Sequence, residues 1–280
     1  MIDLLVANGR VVDGSGQPAY PADVAISGER IVSVGDLAHV EAARTIDATG
    51  MVVSPGFIDI HTHSDLSLLV EPEGMSKVRQ GVTTEVTGNC GYSPYPVAPE
   101  GADAICEMMS GLHGEEVDWM WTDLAGYRDI AAERGLGINV APLVGHGALR
   151  GAVVGFEDRR ATSDHITAMQ RLVAEAMEQG AFGLSTGLTL APSAYGDTDE
   201  VVALAEAMAF YPGRFYTSHI RLWAGYHIKG VAEAIEIGRR ANVPVQVSHM
   251  AVNDPPYWGR ADSVIAVCED AVADGFDVTF

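Results

Sequence analysis

From Gly56 onward the chain repeats one unit: a short apolar run of strand length, an amphipathic stretch, then another apolar run. The runs are "GFIDIHTH", "TTEVTGNCG", "GINVAPLVGHG", "AFGLSTGL", "RFYTSHIR", "VPVQVSHM" and "GFDVTF". Between them lie helical stretches such as "DHITAMQRLVAEAMEQG" and "IKGVAEAIEIGRRAN", which close on Gly or Asn as helix C-termini do. Strands separated by helices lie parallel, and seven of them point to a TIM-like (β/α)8 barrel more than to an open sheet. A chain of 280 residues with 48% hydrophobic content and a mean hydropathy of +0.12 can bury the core that such a fold needs.

The segment ahead of this alternation has another rhythm. In "DLLVANGRVVDGSG", "ADVAISGERIVSVGDL" and "ARTIDATGMVVSPGF", alternating apolar residues are broken by closely spaced Gly turns. Residues 1–54 are therefore expected to form a small β-module of sandwich type, and residues 55–280 the barrel, incomplete at its C-terminal end. Residues from about 92 to 130, rich in Pro and Gly and then in Met, Trp and acid, form an excursion after the second strand, expected to shape the rim of a pocket.

In a barrel of this kind, chemistry gathers at the C-terminal ends of the strands. His61 and His63 end the first candidate strand, Cys90 the second, His219 the fifth and His249 the sixth. Residues i and i+2 of a strand share a face, so His61 and His63 are expected to converge. Thiolate and imidazole suit zinc, and a barrel mouth leaves a position open for water, as in catalytic sites. Asp59 shares the face of the two histidines and is expected to hydrogen-bond behind them. Arg221, two residues past His219, is placed to grip a substrate carboxylate if its strand continues. Tyr195 and His146 each follow a strand end and are candidate donors to an oxyanion or carboxylate. Cys106, Cys268, His39, His113 and His165 receive no role.

Charge and cysteine content narrow the partners. Lys and Arg total 17 against 38 for Asp and Glu, and a net charge of −21 repels phosphate backbones and anionic membranes. Neither nucleic acid nor a membrane is an expected partner. The N-terminal "MIDLLVANGRVVDG" has no basic leader, and no apolar run reaches the roughly 20 residues of a membrane span. Three cysteines, an odd number, make no disulfide framework and fit a reducing compartment, so the chain reads as cytoplasmic.

Taken together, "VVSPGFIDIHTHSD", "GVTTEVTGNCG", "LVGHG", "STGL", "AYGDTDEV", "SHIR" and "VPVQVSHM" resemble the amidohydrolase superfamily, and within it the N-acyl-D-amino-acid deacylase branch. The cysteine of Asn-Cys-Gly is the specific mark, because many relatives use a carboxylated lysine or a glutamate there. The resemblance implies one zinc held tightly by Cys90, His219 and His249, with His61 and His63 forming a second, weaker position. It implies hydrolysis of a linear amide, an N-acyl-(D-)amino acid, with an aspartate at the end of an eighth strand moving the proton. No segment of the chain matches that strand, so the resemblance implies that the aspartate lies beyond residue 280; a second polypeptide, separately encoded or cleaved from a longer precursor, is expected to complete the barrel, with a fragmentary sequence as the open alternative. Met250 and Ala251 stand where relatives commonly carry a lysine after the sixth-strand histidine, and "HIRLWAGYH" departs from their Arg-acid-Gly pattern. Two alternatives stay open: a cyclic-amide hydrolase of hydantoinase or dihydroorotase type, against which Cys90 speaks, and a non-catalytic subunit of a two-chain amidohydrolase.

Overall fold

A computed structural model describes residues 1–98, 102–112, 117–222, 227–252 and 255–280. His113 and parts of the Pro- and Gly-rich excursion lie outside them. The chain divides into two compact units, Met1–Phe57 and Ile58–Phe280.

The N-terminal unit holds β1 (Ile2–Val11), β2 (Tyr20–Ser27), β3 (Arg30–Gly35), β4 (Ala42–Asp47) and β5 (Val52–Val53). Where a sandwich is expected, the described strands share one sheet of order β3-β2-β1-β4, with β5 also on β1. The ten-residue β1 is long enough to pair twice along one edge: Ile2–Ala7 lies parallel to β4, and Arg10–Val11 lies parallel to β5. Its other edge takes β2 antiparallel. Val11, Ala22 and Val24 are the buried cluster of this unit.

The second sheet contains β6 (Phe57–Asp59), β7 (Val82–Thr87), β8 (Asn139–Gly145), β9 (Gly183–Gly187), β10 (Phe215–His219), β11 (Val245–Val247) and β12 (Val278–Thr279), side by side in chain order. The registered pairs from β7 to β12 are all parallel. Side chains from distant strands, including Val86 of β7 and Thr279 of β12, line one cavity of about 240 Å³, so the sheet is curled as in a barrel. Its end strands β6 and β12 are not paired with each other.

The helices are α1 (Ser67–Val70), α2 (Met75–Val78), α3 (Ala102–Met109), α4 (Leu124–Arg134), α5 (His146–Val153), α6 (Ser163–Glu178), α7 (Thr198–Met208), α8 (His227–Ala241) and α9 (Ala261–Ala273). Successive helices α6 to α9 pack on one another and bury Met169, Val173, Leu204 and Ile237 against strand residues such as Leu184, Tyr216 and Val247. Burial on this scale is worth about 1.5–3 kcal/mol per large apolar side chain. Local signals set the helix ends. Thr162 Oγ1 accepts from His165 N–H at 3.2 Å, and the Thr162 N–H donates to His165 Nδ1 at 3.3 Å, which closes a capping box on α6. His165, given no role from sequence, is thus a helix cap. No helix among the described residues is long and apolar enough to cross a membrane.

The excursion after β7 is more than a rim. Tyr95, Met109, Trp121 and Tyr127 are core residues packed with Leu66 and Leu69, and Trp121 Nε1 donates to Pro94 O at 2.6 Å.

Strand β9, "GLSTG", is buried along its whole length. A Cβ on Gly183 would fall inside contact distance of the Phe215 carbonyl oxygen on the neighbouring strand. Gly183→Ala is expected to cost about 1–3 kcal/mol of unfolding free energy, since the obstacle is backbone and cannot rotate away. Urea denaturation checks this; a midpoint equal to the parent's would contradict the packing described.

Candidate metal centre

Five sulfur and nitrogen ligand candidates meet just past the C-terminal ends of four strands. His219 closes β10, whereas His61, His63, Cys90 and His249 lie two to four residues beyond β6, β7 and β11. The first strand stops at Asp59, so His61 and His63 do not converge through strand pleating as expected. Thr62, between them, does the work instead: its N–H and its Oγ1 both donate to Val86 O at 3.1 Å. That anchor pins the segment to β7 and leaves the flanking imidazoles with ring centroids 5.4 Å apart.

Cys90 reaches the cluster through a tight turn. Gly88, Cys90 and Gly91 all have positive φ, of 75°, 55° and 76°. That conformation is ordinary for glycine and uncommon for cysteine. Asn89 fixes the turn by donating from Nδ2 to Val86 O at 2.9 Å. Cys90 Sγ then lies 3.3 Å from His61 Nε2 and 3.4 Å from His249 Nε2. His249 is also turned by a positive φ, of 30°, and its ring centroid lies 4.8 Å from that of His61 and 4.7 Å from that of His219.

The donor atoms form two triads that share the sulfur: His61, His63 and Cys90, and Cys90, His219 and His249. Within each triad all donor atoms lie within 4.8 Å of one another. Soft sulfur with imidazole nitrogen is a donor set that zinc accepts, and the buried His63 Nδ1 has no hydrogen-bond partner among the described residues. The electrostatics agree with a cationic guest. Burial, then the neighbouring histidines, holds His61 down to about 4, and burial followed by His249 and His63 does the same to His219. Burial also pushes the Cys90 thiol up to about 12. Burial thus disfavours both the charged imidazoles and the free thiolate, a setting in which a bound cation would stabilise the thiolate.

Several supporting residues carry no sequence signal. Thr189 Oγ1 lies 2.6 Å from His219 Nε2, and Tyr92 stands edge-on to His63 with centroids 6.3 Å apart. Asp59 supports His61 through the backbone and not the ring: its Oδ1 accepts the His61 N–H at 3.2 Å while Oδ2 pairs with Lys77 Nζ at 2.6 Å. Asp65 is fully buried, and burial raises its carboxyl to about 7.

The three residues expected to meet substrate are placed differently from one another. Tyr195 is half-buried in a short 3-10 turn, Ser193–Tyr195, on the loop that also carries Thr189. His146, expected as a donor to substrate, has no exposed surface: Nδ1 meets Ser193 Oγ at 2.7 Å and Nε2 meets Glu200 Oε1 at 2.8 Å. Arg221, expected to grip a carboxylate, spends its guanidinium within the protein. Its Nε donates to both Glu233 oxygens at 3.1–3.2 Å, Nη1 to Ala194 O at 3.1 Å and Nη2 to Gly196 O at 2.8 Å. Strand β10 ends at His219, so the two-residue periodicity that placed Arg221 beside it does not extend that far.

The family model described as amidohydrolase family matches residues 44–275. D-aminoacylase of Alcaligenes xylosoxydans xylosoxydans is 38% identical over 97% of this chain and 55% of its own length. N-acyl-D-glutamate deacylase of the same organism is 38% identical over 99% of this chain and 56% of its own length. The crystal structure of N-acyl-D-glutamate deacylase from Bordetella bronchiseptica, complexed with zinc and a phosphonate inhibitor, superposes with a TM-score of 0.89 at 35% identity, covering 99% of this chain and 57% of that one. The chain thus spans a little over half the length of the relatives it matches. In them the matched part and the remainder belong to one polypeptide, so the second polypeptide expected from sequence has no counterpart there. A match across most of the length, joined to the histidine and cysteine cluster at the strand ends, means that this chain belongs to the amidohydrolase family.

Proposed function

We propose that this chain carries the metal centre of a zinc-dependent deacylase that hydrolyses the linear amide of N-acyl-D-amino acids. One observation carries the reading: two donor triads share Cys90 Sγ at the mouth of a curled parallel sheet. Cys90, His219 and His249 form the tighter position, and His61 with His63 and the same sulfur the weaker one. Zinc held by these residues would supply polarisation of a carbonyl oxygen and a water pKa lowered towards about 7. The substrate class is supported by the relatives, which are named for D-aminoacyl and N-acyl-D-glutamate substrates.

The chain's own residues then have distinct tasks. Cys90 gives up its proton on loading and supplies the anionic ligand, while Thr189 and Thr62 keep His219 and the His61–His63 segment aimed. Tyr195 is the candidate donor to the oxyanion that forms as the planar amide becomes tetrahedral. A proton must also reach the leaving amine. The aspartate implied for this step matches no segment here, and the two acids that flank the His61–His63 segment in sequence are otherwise placed: Asp59 is paired with Lys77, and Asp65 is fully buried.

Metal analysis joined to an amidase assay tests the proposal. Purified protein is expected to contain zinc and, in a polypeptide or complex that also supplies the aspartate, to release acetate from N-acetyl-D-amino acids in preference to their L-enantiomers. Protein that retains no zinc, or that releases acetate equally from both enantiomers, would contradict it. Tyr195→Phe is expected to lower kcat by about a hundredfold with zinc content unchanged, the usual cost of losing one oxyanion donor. A kcat equal to the parent's would remove Tyr195 from the reaction.

A further inference from the structure

The loop joining β9 to α7 is tied to the metal-ligand end of the sheet at three points. The Leu188 N–H donates to His219 O at 3.0 Å, Thr189 Oγ1 meets His219 Nε2 at 2.6 Å, and Ser193 Oγ accepts the Gly187 N–H at 3.2 Å. The loop then forms the Ser193–Tyr195 turn and passes through Gly196 to Asp197, whose carboxylate accepts the Glu200 N–H at 3.0 Å and caps α7.

Two ion pairs, the first buried and the second part-buried, hold this turn. The first begins at Arg150, whose Nη1 lies 2.6 Å from both oxygens of Glu200; Glu200 meets His146, and His146 meets Ser193. Serine, histidine and carboxylate are strung here as in a hydrolytic triad. Yet Ser193 is 2% exposed and His146 0%, and Arg150 takes up the charge of Glu200, so the string fixes shape and attacks nothing.

The second pair is Arg221 with Glu233, and the same guanidinium donates to the carbonyls of Ala194 and Gly196 on either side of Tyr195. Glu233 in turn accepts from Thr198 Oγ1 at 2.8 Å, on the first residue of α7. The two pairs meet at Gly196, where an added Cβ would lie 2.7 Å from His146 Cε1 and 2.8 Å from Glu200 Oε1. A turn with its hydroxyl, two carbonyls and the helix behind it all committed has one conformation, and Tyr195 inherits it.

We infer that Arg221, together with Glu233, is a positioning residue that sets the Ser193–Gly196 turn and through it Tyr195, and that it is not the receptor for a substrate carboxylate. The kinetic part of the inference rests on the deacylase reading above. A planar guanidinium can serve a carboxylate and two separate carbonyls at once, whereas a lysine ammonium is a point charge on a flexible stem. Arg221→Lys therefore keeps the charge opposite Glu233 and releases the turn.

The experiment compares parent and Arg221→Lys on two substrates, an N-acetyl-amino acid and its uncharged carboxamide, with acetate release as readout. Amide hydrogen exchange is followed across residues 193–196 in the same proteins. The expected result is a kcat loss of roughly ten- to a hundredfold, equal for the two substrates, with zinc content and KM little changed. Exchange across the turn is expected to quicken. Glu233→Gln is expected to reproduce both effects, because it breaks the same ion pair from the far side.

A rise in KM confined to the substrate that bears a carboxylate would overturn the inference and make Arg221 its receptor. Unchanged exchange at 193–196, or normal kinetics in Glu233→Gln beside damaged kinetics in Arg221→Lys, would also overturn it. The exchange readout needs no activity, so it decides the clamp even if the parent hydrolyses neither substrate, an outcome that overturns only the function proposed above.

Discussion

Cys90→Ala is expected to lose most of its zinc and about three orders of magnitude in kcat/KM, or ~4 kcal/mol of transition-state stabilisation. The effect is large because both donor triads use the same sulfur, so one substitution leaves each with two imidazoles. The fold itself should survive. Cys90 occupies a turn with positive φ, where alanine is no more strained than cysteine, and the burial that Sγ gives up is small. Elemental analysis after dialysis, read beside a thermal melt, separates loss of metal from loss of structure. Equal zinc in variant and parent would show that the sulfur holds no metal.

The second large effect concerns stability. Arg150 has no exposed surface, and its one ion pair among the described residues is with Glu200, which is 4% exposed and also accepts from His146. Glu200→Ala leaves a guanidinium buried without a counter-charge and removes the partner of His146 in the same step. A loss of about 3–5 kcal/mol of unfolding free energy is expected, the cost of breaking a buried ion pair from one side. Replacing both members, as Arg150→Met with Glu200→Leu, is expected to recover a good part of that loss, since no unpaired charge remains. Chemical denaturation of the single and double variants makes the comparison. A single variant within about 1 kcal/mol of the parent would mean that Arg150 finds water or another acceptor.

What the sequence disclosed, and what it withheld, follows from the range of the interactions involved. The seven strands of the curled sheet were legible because each is a short apolar run bounded by Gly or by a capped helix, and those signals lie within a few residues of one another. The meeting of the histidines with Cys90 was legible for a related reason. A parallel sheet sends all its strand ends to one side, so His61, Cys90, His219 and His249 need only occupy equivalent places to meet.

The internal partners of Arg221 and His146 were not legible because they are remote. Glu233 is twelve residues away on α8 and Glu200 fifty-four residues away on α7, and no pattern local to either residue announces them. Strand β10 stops before Arg221, whereas His146 directly follows β8 and opens helix α5. Period-two reasoning likewise overextended the first strand, where Thr62 bonding to Val86 aims the histidines after the pleat has ended. In the N-terminal unit the Gly-spaced alternation announced strands correctly but was silent on whether they form one layer or two. That choice rests on β1 pairing with both β4 and β5, a matter of register that turn residues do not encode.

The most direct test of the metal centre is anomalous X-ray scattering from crystals of the zinc-loaded protein, recorded on both sides of the zinc absorption edge. The account predicts a strong zinc peak at bonding distance from Cys90 Sγ, about 2.3 Å, flanked by His219 and His249 at about 2.0–2.1 Å. A second, weaker peak is predicted beside His61 and His63. A zinc peak away from Cys90, or no peak at the strand ends in crystals grown with zinc, would contradict it.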